Sequence, residues 1–185
     1  MREVYVSVDV EADGPIPGPF SLLSLGAAAF LPGNPAPVST FKENLEDLPG
    51  ACQDPKTMKW WEGQQEAWEA SRSDLQDPSK VMHRFAHWLG NLEGRPVFVG
   101  YPAGYDFTFV HWYLVNFTGS DPFGFSALDI KTMAYTMLGL PFRQTAKRRM
   151  PERWFEGGPA HTHDALQDAI GQGVLFINML KELRG

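Results

Sequence analysis

The chain has 185 residues, of which 43% are hydrophobic and 21% charged, and these values predict one globular domain, residues 1–185, with a buried core. Cys52 is the only cysteine, which excludes an internal disulfide and a cysteine-based zinc site. The longest apolar stretch, residues 20–31, is too short to cross a bilayer, and no basic-then-apolar leader precedes Asp9. We therefore expect a cytoplasmic protein without membrane contact.

The first part of the chain predicts three strands. Valines and a tyrosine predict a strand over residues 3–9, and two more strands are predicted over residues 20–30 and 38–44. Segments rich in glycine and proline separate them. Because these connections are short, we expect an antiparallel meander.

Two helices follow, each marked by an aspartate that caps the helix and a proline in its first turn. The pairs are Asp54-Pro55 and Asp77-Pro78. We expect the first helix to carry Met58, Trp61 and Trp68. Further along, the pattern predicts a strand over 96–101, a helix over 106–117, an edge strand over 125–128, helices over 129–138 and 163–183, and a loop over 141–159. This order predicts an α/β fold, a mixed sheet covered by helices.

Five residues in three short motifs carry the functional prediction. DVEADG contains Asp9 and Glu11, GYPAGYDF contains Asp106, and HTHDALQDA contains His163 and Asp168. Side chains alternate along a strand, so Asp9 and Glu11 face the same way. Carboxylates are the ligands that hard divalent cations prefer, and a nearby histidine can act as a base. The set therefore predicts a metal-dependent phosphodiester hydrolase.

The three motifs together resemble those of the DEDDh-type 3′→5′ exonucleases of the ribonuclease-H-like superfamily, and the resemblance covers essentially the whole chain. The stretch TMKWWEGQQ is similar to a small bacterial 3′→5′ exoribonuclease group. The resemblance implies a ribonuclease-H-like mixed five-stranded sheet flanked by helices. It also implies hydrolysis at single-stranded 3′ ends, with RNA favoured and DNA as the alternative, and it allows a homodimer.

The resemblance further implies a two-metal-ion mechanism. Two ions, Mg²⁺ or Mn²⁺, would be held by Asp9, Glu11, Asp106 and Asp168, with Asp9 shared between them. His163 would take the proton from the attacking water, so activity should fall as the pH drops below the pKa of this histidine.

Four residues are expected to contact the substrate: Ala12, Ile16, Trp60 and Trp61. The two tryptophans would stack on bases, although core packing is the competing interpretation for Trp61. Many family members have a threonine pair after the glutamate of the first motif. Ala12 and Asp13 stand there instead, so only the backbone amide of Ala12 is left for the terminal nucleotide. In the second motif, Pro102 replaces an asparagine.

Other histidines and aspartates have simpler interpretations. His161 lacks the five-residue spacing to Asp168, so we interpret it as a surface residue. His83 and His87 are four apart on a helix, but no third metal ligand is evident, which favours an ordinary exposed face. Asp129 and Asp164 stand at helix starts and can be caps alone.

The formal net charge of −6 does not indicate a nucleic-acid binder, because phosphate affinity usually comes from lysine and arginine. Basic residues are nevertheless concentrated ahead of the third motif, at Arg143, Lys147, Arg148, Arg149 and Arg153. This segment is either a solvated loop or a phosphate contact. One rival function remains open, a non-catalytic nucleic-acid or protein-binding module on the same fold. A glycosidase with Asp9 and Glu11 as its acid–base pair is disfavoured, because two carboxylates on one strand are poorly placed to flank a glycosidic bond from two sides.

Overall fold

A single mixed sheet organises the computed structural model, which describes residues 2–185. Its strands are β1 Glu3–Ala12, β2 Leu22–Phe30, β3 Ser39–Asn44, β4 Arg95–Gly100 and β5 Ala127–Asp129. They lie in the order β3-β2-β1-β4-β5, so β1 is central. The first three strands pair antiparallel, whereas β4 and β5 run parallel to β1.

Helices cover both faces of the sheet, which confirms the predicted fold class. Their bounds are α1 Pro55–Trp61, α2 Gln65–Ser71, α3 Pro78–Gly90, α4 Ala103–Thr118, α5 Ile130–Leu138 and α6 Ala165–Arg184. Between α5 and α6 the chain forms three one-turn 3₁₀ helices: Phe142–Gln144, Lys147–Arg149 and Glu152–Trp154. Of the helices described, none combines the length and the apolar character needed to cross a membrane.

The alternation of side chains along β1 divides its residues between two cores. Val4, Val6, Val8 and Val10 pack in one core with α3 and α4, whereas Tyr5 packs in the other core with α5 and α6. Asp9 and Glu11 follow the parity of Tyr5, so they lie on the α6 side of the sheet. β1 continues to Ala12 and does not end at Asp9, which makes Glu11 part of the strand.

Helix α6 lies close against β2 because glycines leave room at two points. A Cβ atom on Gly26 would lie 2.1 Å from the carbonyl carbon of Ala165, and one on Gly173 would lie 2.0 Å from the ring of Phe30. Any larger side chain at either position would push the helix away from the sheet. This approach brings Asp168 next to the carboxylates of β1.

Several helix boundaries differ from the prediction. The first predicted helix is two helices, α1 and α2, interrupted at residues 62–64, where Gly63 interrupts the helical run. Helix α4 begins at Ala103 and not at Asp106, because the Asp129 carboxylate accepts a hydrogen bond from the Ala103 amide at 2.8 Å. Asp106 therefore lies within the first turn of the helix and is not its first residue.

The predicted caps are confirmed, and one of them moves a boundary. Asp54 accepts a hydrogen bond from the amide of Thr57 at 2.8 Å, and Asp77 accepts one from that of Lys80 at 2.9 Å. Asp164 caps α6, so this helix begins at Ala165 and not at residue 163.

Candidate active site

The structure brings the four predicted carboxylates to one place. Asp9 and Glu11 approach from β1 and Asp168 from α6, and each offers one oxygen within 4.8 Å of the others. Asp106 joins them from the first turn of α4, where its Oδ1 accepts a hydrogen bond from the Val10 amide at 3.1 Å. Glu11, Asp106 and Asp168 are buried, and Asp9 is partly buried.

This crowding penalises the charged form of the carboxylates. Desolvation raises the pKa of Asp9 well above its usual value, and the neighbouring charges of Asp106 and Glu11 raise it further. Burial raises the pKa of Glu11 to about 8, with Asp168 and Asp106 as additional causes. Burial also raises the pKa of Asp106 to about 8, although the hydrogen bond from Val10 acts in the opposite direction.

The loop before α6 holds the Asp168 carboxylate. The amides of Thr162 and His163 each donate a hydrogen bond to it, both at 2.9 Å. His163 has a φ of 57°, in the left-handed region that residues other than glycine seldom adopt. The backbone therefore accepts a strained conformation where it holds a carboxylate of the site.

His163 lies beside the carboxylates and is partly buried. Partial burial lowers the pKa of His163 below its usual value, and the nearby His161 lowers it further, whereas Asp168 acts in the opposite direction. The ring centroid of His163 lies 5.0 Å from that of Trp60, in an edge-to-face arrangement. The imidazole is thus placed between the carboxylates and an exposed aromatic side chain.

His161 lies nearer the site than we expected from the sequence. Its side chain is exposed, yet its Nδ1 lies 2.7 Å from Oδ2 of Asp168, and its ring centroid lies 4.3 Å from that of His163. The loop before α6 places His161 against Asp168, a contact that the five-residue spacing used to select His163 could not show.

The two tryptophans of α1 have different environments. Trp60 is 43% exposed, whereas Trp61 is 2% exposed and donates its indole N–H to the carbonyl oxygen of Ala12 at 3.1 Å. Trp60 therefore has a free face at the site, and Trp61 supports the end of β1. Ile16 is half exposed on the loop after this strand. The Tyr105 hydroxyl fixes that loop to α4 by donating to the carbonyl of Gly14 at 3.1 Å.

One lysine of the basic segment reaches the site. The ammonium of Lys147 lies 5.0 Å from the ring centroid of Tyr101, in the second motif. Its positive charge opposes the rise in the pKa of Asp9 and Asp106. Arg148 and Arg149 are exposed on the same 3₁₀ turn. The sequence marked this segment as basic but did not distinguish Lys147 from its neighbours.

The simpler interpretations of the remaining residues agree with the structure. Asp129 and Asp164 both cap helices. His83 and His87 are exposed, and neither belongs to a group of potential metal ligands among residues 2–185.

The donor set fits a divalent cation with oxygen ligands. Carboxylate oxygens are the preferred ligands of Mg²⁺ and of similarly hard ions. Buried carboxylates that face one another without a paired cation are electrostatically unfavourable, and a bound cation removes that penalty. Asp9, Glu11, Asp106 and Asp168 are therefore suited to hold it.

Solved structures with the same fold define the class. The nuclease domain of 3′hExo, a DEDDh family member, bound to rAMP, superposes with a TM-score of 0.72 at 12% identity, covering 98% of this chain and 93% of that chain. Pop2p of S. pombe, in a form with Mg²⁺ and Mn²⁺ bound, gives a TM-score of 0.64 at 16% identity, covering 94% and 81% of the respective chains. The fold is thus that of the ribonuclease-H-like DEDDh exonucleases.

The sequence comparisons identify the family. The model of the 3′-5′ exoribonuclease Rv2179c-like domain matches residues 4–180, and the chain belongs to this family of 3′→5′ exonucleases. The chain is also 33% identical over 183 residues to the 3′-5′ DNA exonuclease Cap18 of Escherichia coli, covering 95% of this chain and 90% of Cap18.

The raised pKa values predict how stability depends on pH and metal. Glu11 and Asp106 have pKa values of about 8 in the folded protein and of about 4 in the unfolded chain. The folded state therefore binds protons more tightly, and these groups lower the stability as the pH rises between the two values. Differential scanning fluorimetry in EDTA should show that Asp106→Asn raises the melting temperature, with a gain that grows from about pH 5 to about pH 8.

Added Mn²⁺ should raise the melting temperature of the unaltered protein, and by more at about pH 8 than at about pH 6, because protons compete for the ligand oxygens. Asp168→Ala should reduce this gain. If Asp168→Ala responded to Mn²⁺ as the unaltered protein does, Asp168 would not be a metal ligand.

If the rise in melting temperature caused by Asp106→Asn became smaller with rising pH, repulsion among the carboxylates would not be its cause.

Proposed function

We propose that the protein is a divalent-metal-dependent 3′→5′ exonuclease that removes nucleotides from single-stranded 3′ ends, with RNA as its preferred substrate. The observation that carries this proposal is the convergence of four carboxylates from three separate elements, with His163 at their edge. A binding module would have no need to gather these charges at an electrostatic cost.

Each residue of the site has a defined role in this proposal. Asp9, Glu11, Asp106 and Asp168 would hold two ions, Mg²⁺ or Mn²⁺. The bound metal would supply Lewis-acid polarisation of the scissile phosphate and stabilise the developing negative charge. His163 accepts the proton of the attacking water, and the amide contacts of its loop with Asp168 keep the imidazole beside the carboxylates.

The substrate-side residues surround this centre. Trp60 presents an exposed indole next to His163, which suits stacking on the terminal base. Ile16, half exposed on the neighbouring loop, offers an apolar contact. The backbone of Ala12 would contact the terminal nucleotide, and Trp61 contributes indirectly by holding the Ala12 carbonyl.

The two sequence comparisons favour different substrates, RNA and DNA. The family description names an exoribonuclease, and this favours RNA. The relative Cap18 is named a DNA exonuclease, and this favours DNA as the second candidate. Discrimination between the two requires a contact to the 2′-hydroxyl.

The function is tested with matched single-stranded RNA and DNA labelled at the 5′ end. With Mn²⁺ we expect a ladder that shortens from the 3′ end, faster for RNA, and no shortening in EDTA or with Asp168→Ala. Faster shortening of DNA would reverse the sugar assignment. Binding of either strand without shortening, in a protein that is stabilised by Mn²⁺, would favour the binding-module alternative.

The base role of His163 predicts a pH profile. The histidine accepts a proton only in its neutral form, and its pKa is lowered, so the acid-side loss of kcat/KM should begin below the usual value of about 6.5. The substitution His163→Asn should lower kcat by about 10²–10⁴-fold and remove the acid-side loss of kcat/KM. Full activity of the variant with an unchanged profile would show that another group is the base.

The position of Lys147 near the site predicts that its ammonium contacts a phosphate of the substrate. The positive charge of Lys147 acts on Asp9 and Asp106, so its ammonium lies within electrostatic reach of the site. Lys147→Ala should therefore raise KM for RNA and make KM depend less on salt concentration. Arg148→Ala is the matched control, since Arg148 is exposed on the same turn. If both variants had equal effects, Lys147 would act only through the general positive charge of the segment and not through a specific phosphate contact.

A further inference from the structure

Gln172 makes a direct contact with the central carboxylate of the site. It lies on α6 four residues after Asp168, about one helical turn further along, so both side chains are on the same face of the helix. Its Nε2 donates a hydrogen bond to Oδ1 of Asp9. Gln172 is 3% exposed and Asp9 is partly buried, so this hydrogen bond is partly shielded from solvent.

The position of Gln172 is fixed by the packing around it. The next residue, Gly173, lies against the ring of Phe30 so closely that a Cβ would not fit. This contact sets the distance between α6 and the sheet at the level of Gln172. The amide group therefore lies near Asp9 because of the helix position and not because of a flexible side chain.

The second polar atom of Gln172 has no hydrogen-bond partner. Within the described part of the chain, Oε1 is buried and accepts no hydrogen bond. A buried acceptor left unpaired costs about 1–3 kcal/mol, so such an atom calls for an explanation. Reversing the amide would remove the donor from Asp9 and place an oxygen against a carboxylate oxygen, which is less favourable. The unpaired oxygen is therefore a consequence of the contact with Asp9.

A neutral amide has one advantage over a cation at this position. It fixes the orientation of the carboxylate by a hydrogen bond but leaves the negative charge available for a metal ion. A lysine or arginine would neutralise the charge and compete with the ion. The unpaired Oε1 is available to accept from a water molecule, and Mg²⁺ keeps several waters in protein sites.

We infer that Gln172 is a positioning residue of the nuclease site. Its Nε2 holds Asp9 in the orientation that binds a divalent metal ion, and its Oε1 accepts a hydrogen bond from a water molecule when the metal is bound. This inference rests on the proposed function. Partners that orient a metal ligand contribute about 10–100-fold to metal affinity or activity.

The test compares three substitutions in the full-length protein. Gln172→Met keeps the size of the side chain and removes both polar atoms. Gln172→Lys introduces an ammonium that can pair with Asp9 and neutralise it. Gln167→Met is the matched control, because Gln167 is exposed on the same helix. For each protein, the melting temperature is measured in EDTA and over a Mn²⁺ titration, from which the apparent Kd for Mn²⁺ follows.

We expect Gln172→Met to weaken Mn²⁺ binding by about 10–100-fold, and Gln167→Met to leave it unchanged. Activity of Gln172→Met should recover partly as Mn²⁺ is raised. Gln172→Lys should stabilise the protein in EDTA, through the new ion pair, but lower its response to Mn²⁺ further than Gln172→Met does. A role limited to packing would instead change the melting temperature in EDTA and leave the Kd for Mn²⁺ unaltered.

An unchanged Kd in Gln172→Met would overturn the inference. If Gln172→Met fails to fold, the same titration is made with Gln172→Lys. A rise in melting temperature with Mn²⁺ as large as that of the unaltered protein would then overturn the inference. The absence of any Mn²⁺ response in the unaltered protein would overturn both proposals. If the unaltered protein binds Mn²⁺ but shortens neither RNA nor DNA, the proposed function fails while the effect of Gln172 on the Kd still stands.

Discussion

Repulsion among four carboxylates is the constraint on which the rest of this structure depends. Asp9, Glu11, Asp106 and Asp168 lie close together and largely out of solvent, so their negative charges are unfavourable unless protons or cations neutralise them. A fold can hold such a group only by placing each member on a rigid element. The central strand, the first turn of α4 and the start of α6 meet that need. A bound cation would relieve this repulsion, and the repulsion therefore favours cation binding.

The same elements connect the proposed metal ligands to the proposed base and to the proposed substrate side. The loop before α6 holds Asp168 through two backbone amides and presents His163 from a left-handed backbone conformation. His163 in turn contacts Trp60 on α1, while Trp61 holds the end of β1 from the interior. A displacement of the loop or of α1 would therefore affect Asp168, His163 and Trp60 together.

The acidic net charge is compatible with a nucleic-acid substrate because recognition depends on the local field. Formal net charge is −6 for the whole chain, but two divalent ions held by the four carboxylates would cancel the negative charge of the site. Lys147 adds a positive charge from the basic segment, near Tyr101.

The sequence by itself determined the fold class and the caps at Asp54 and Asp77, because alternation, helical period and capping are local patterns. Its three motifs also predicted the five residues that the structure brings together. It misplaced the start of α4, since the capping carboxylate of Asp129 comes from 26 residues away. Only the tertiary structure separated Trp60 from Trp61 and brought His161, Lys147 and Gln172 to the site. These contacts join residues from different elements, and no spacing along the chain records which helix will lie against which strand.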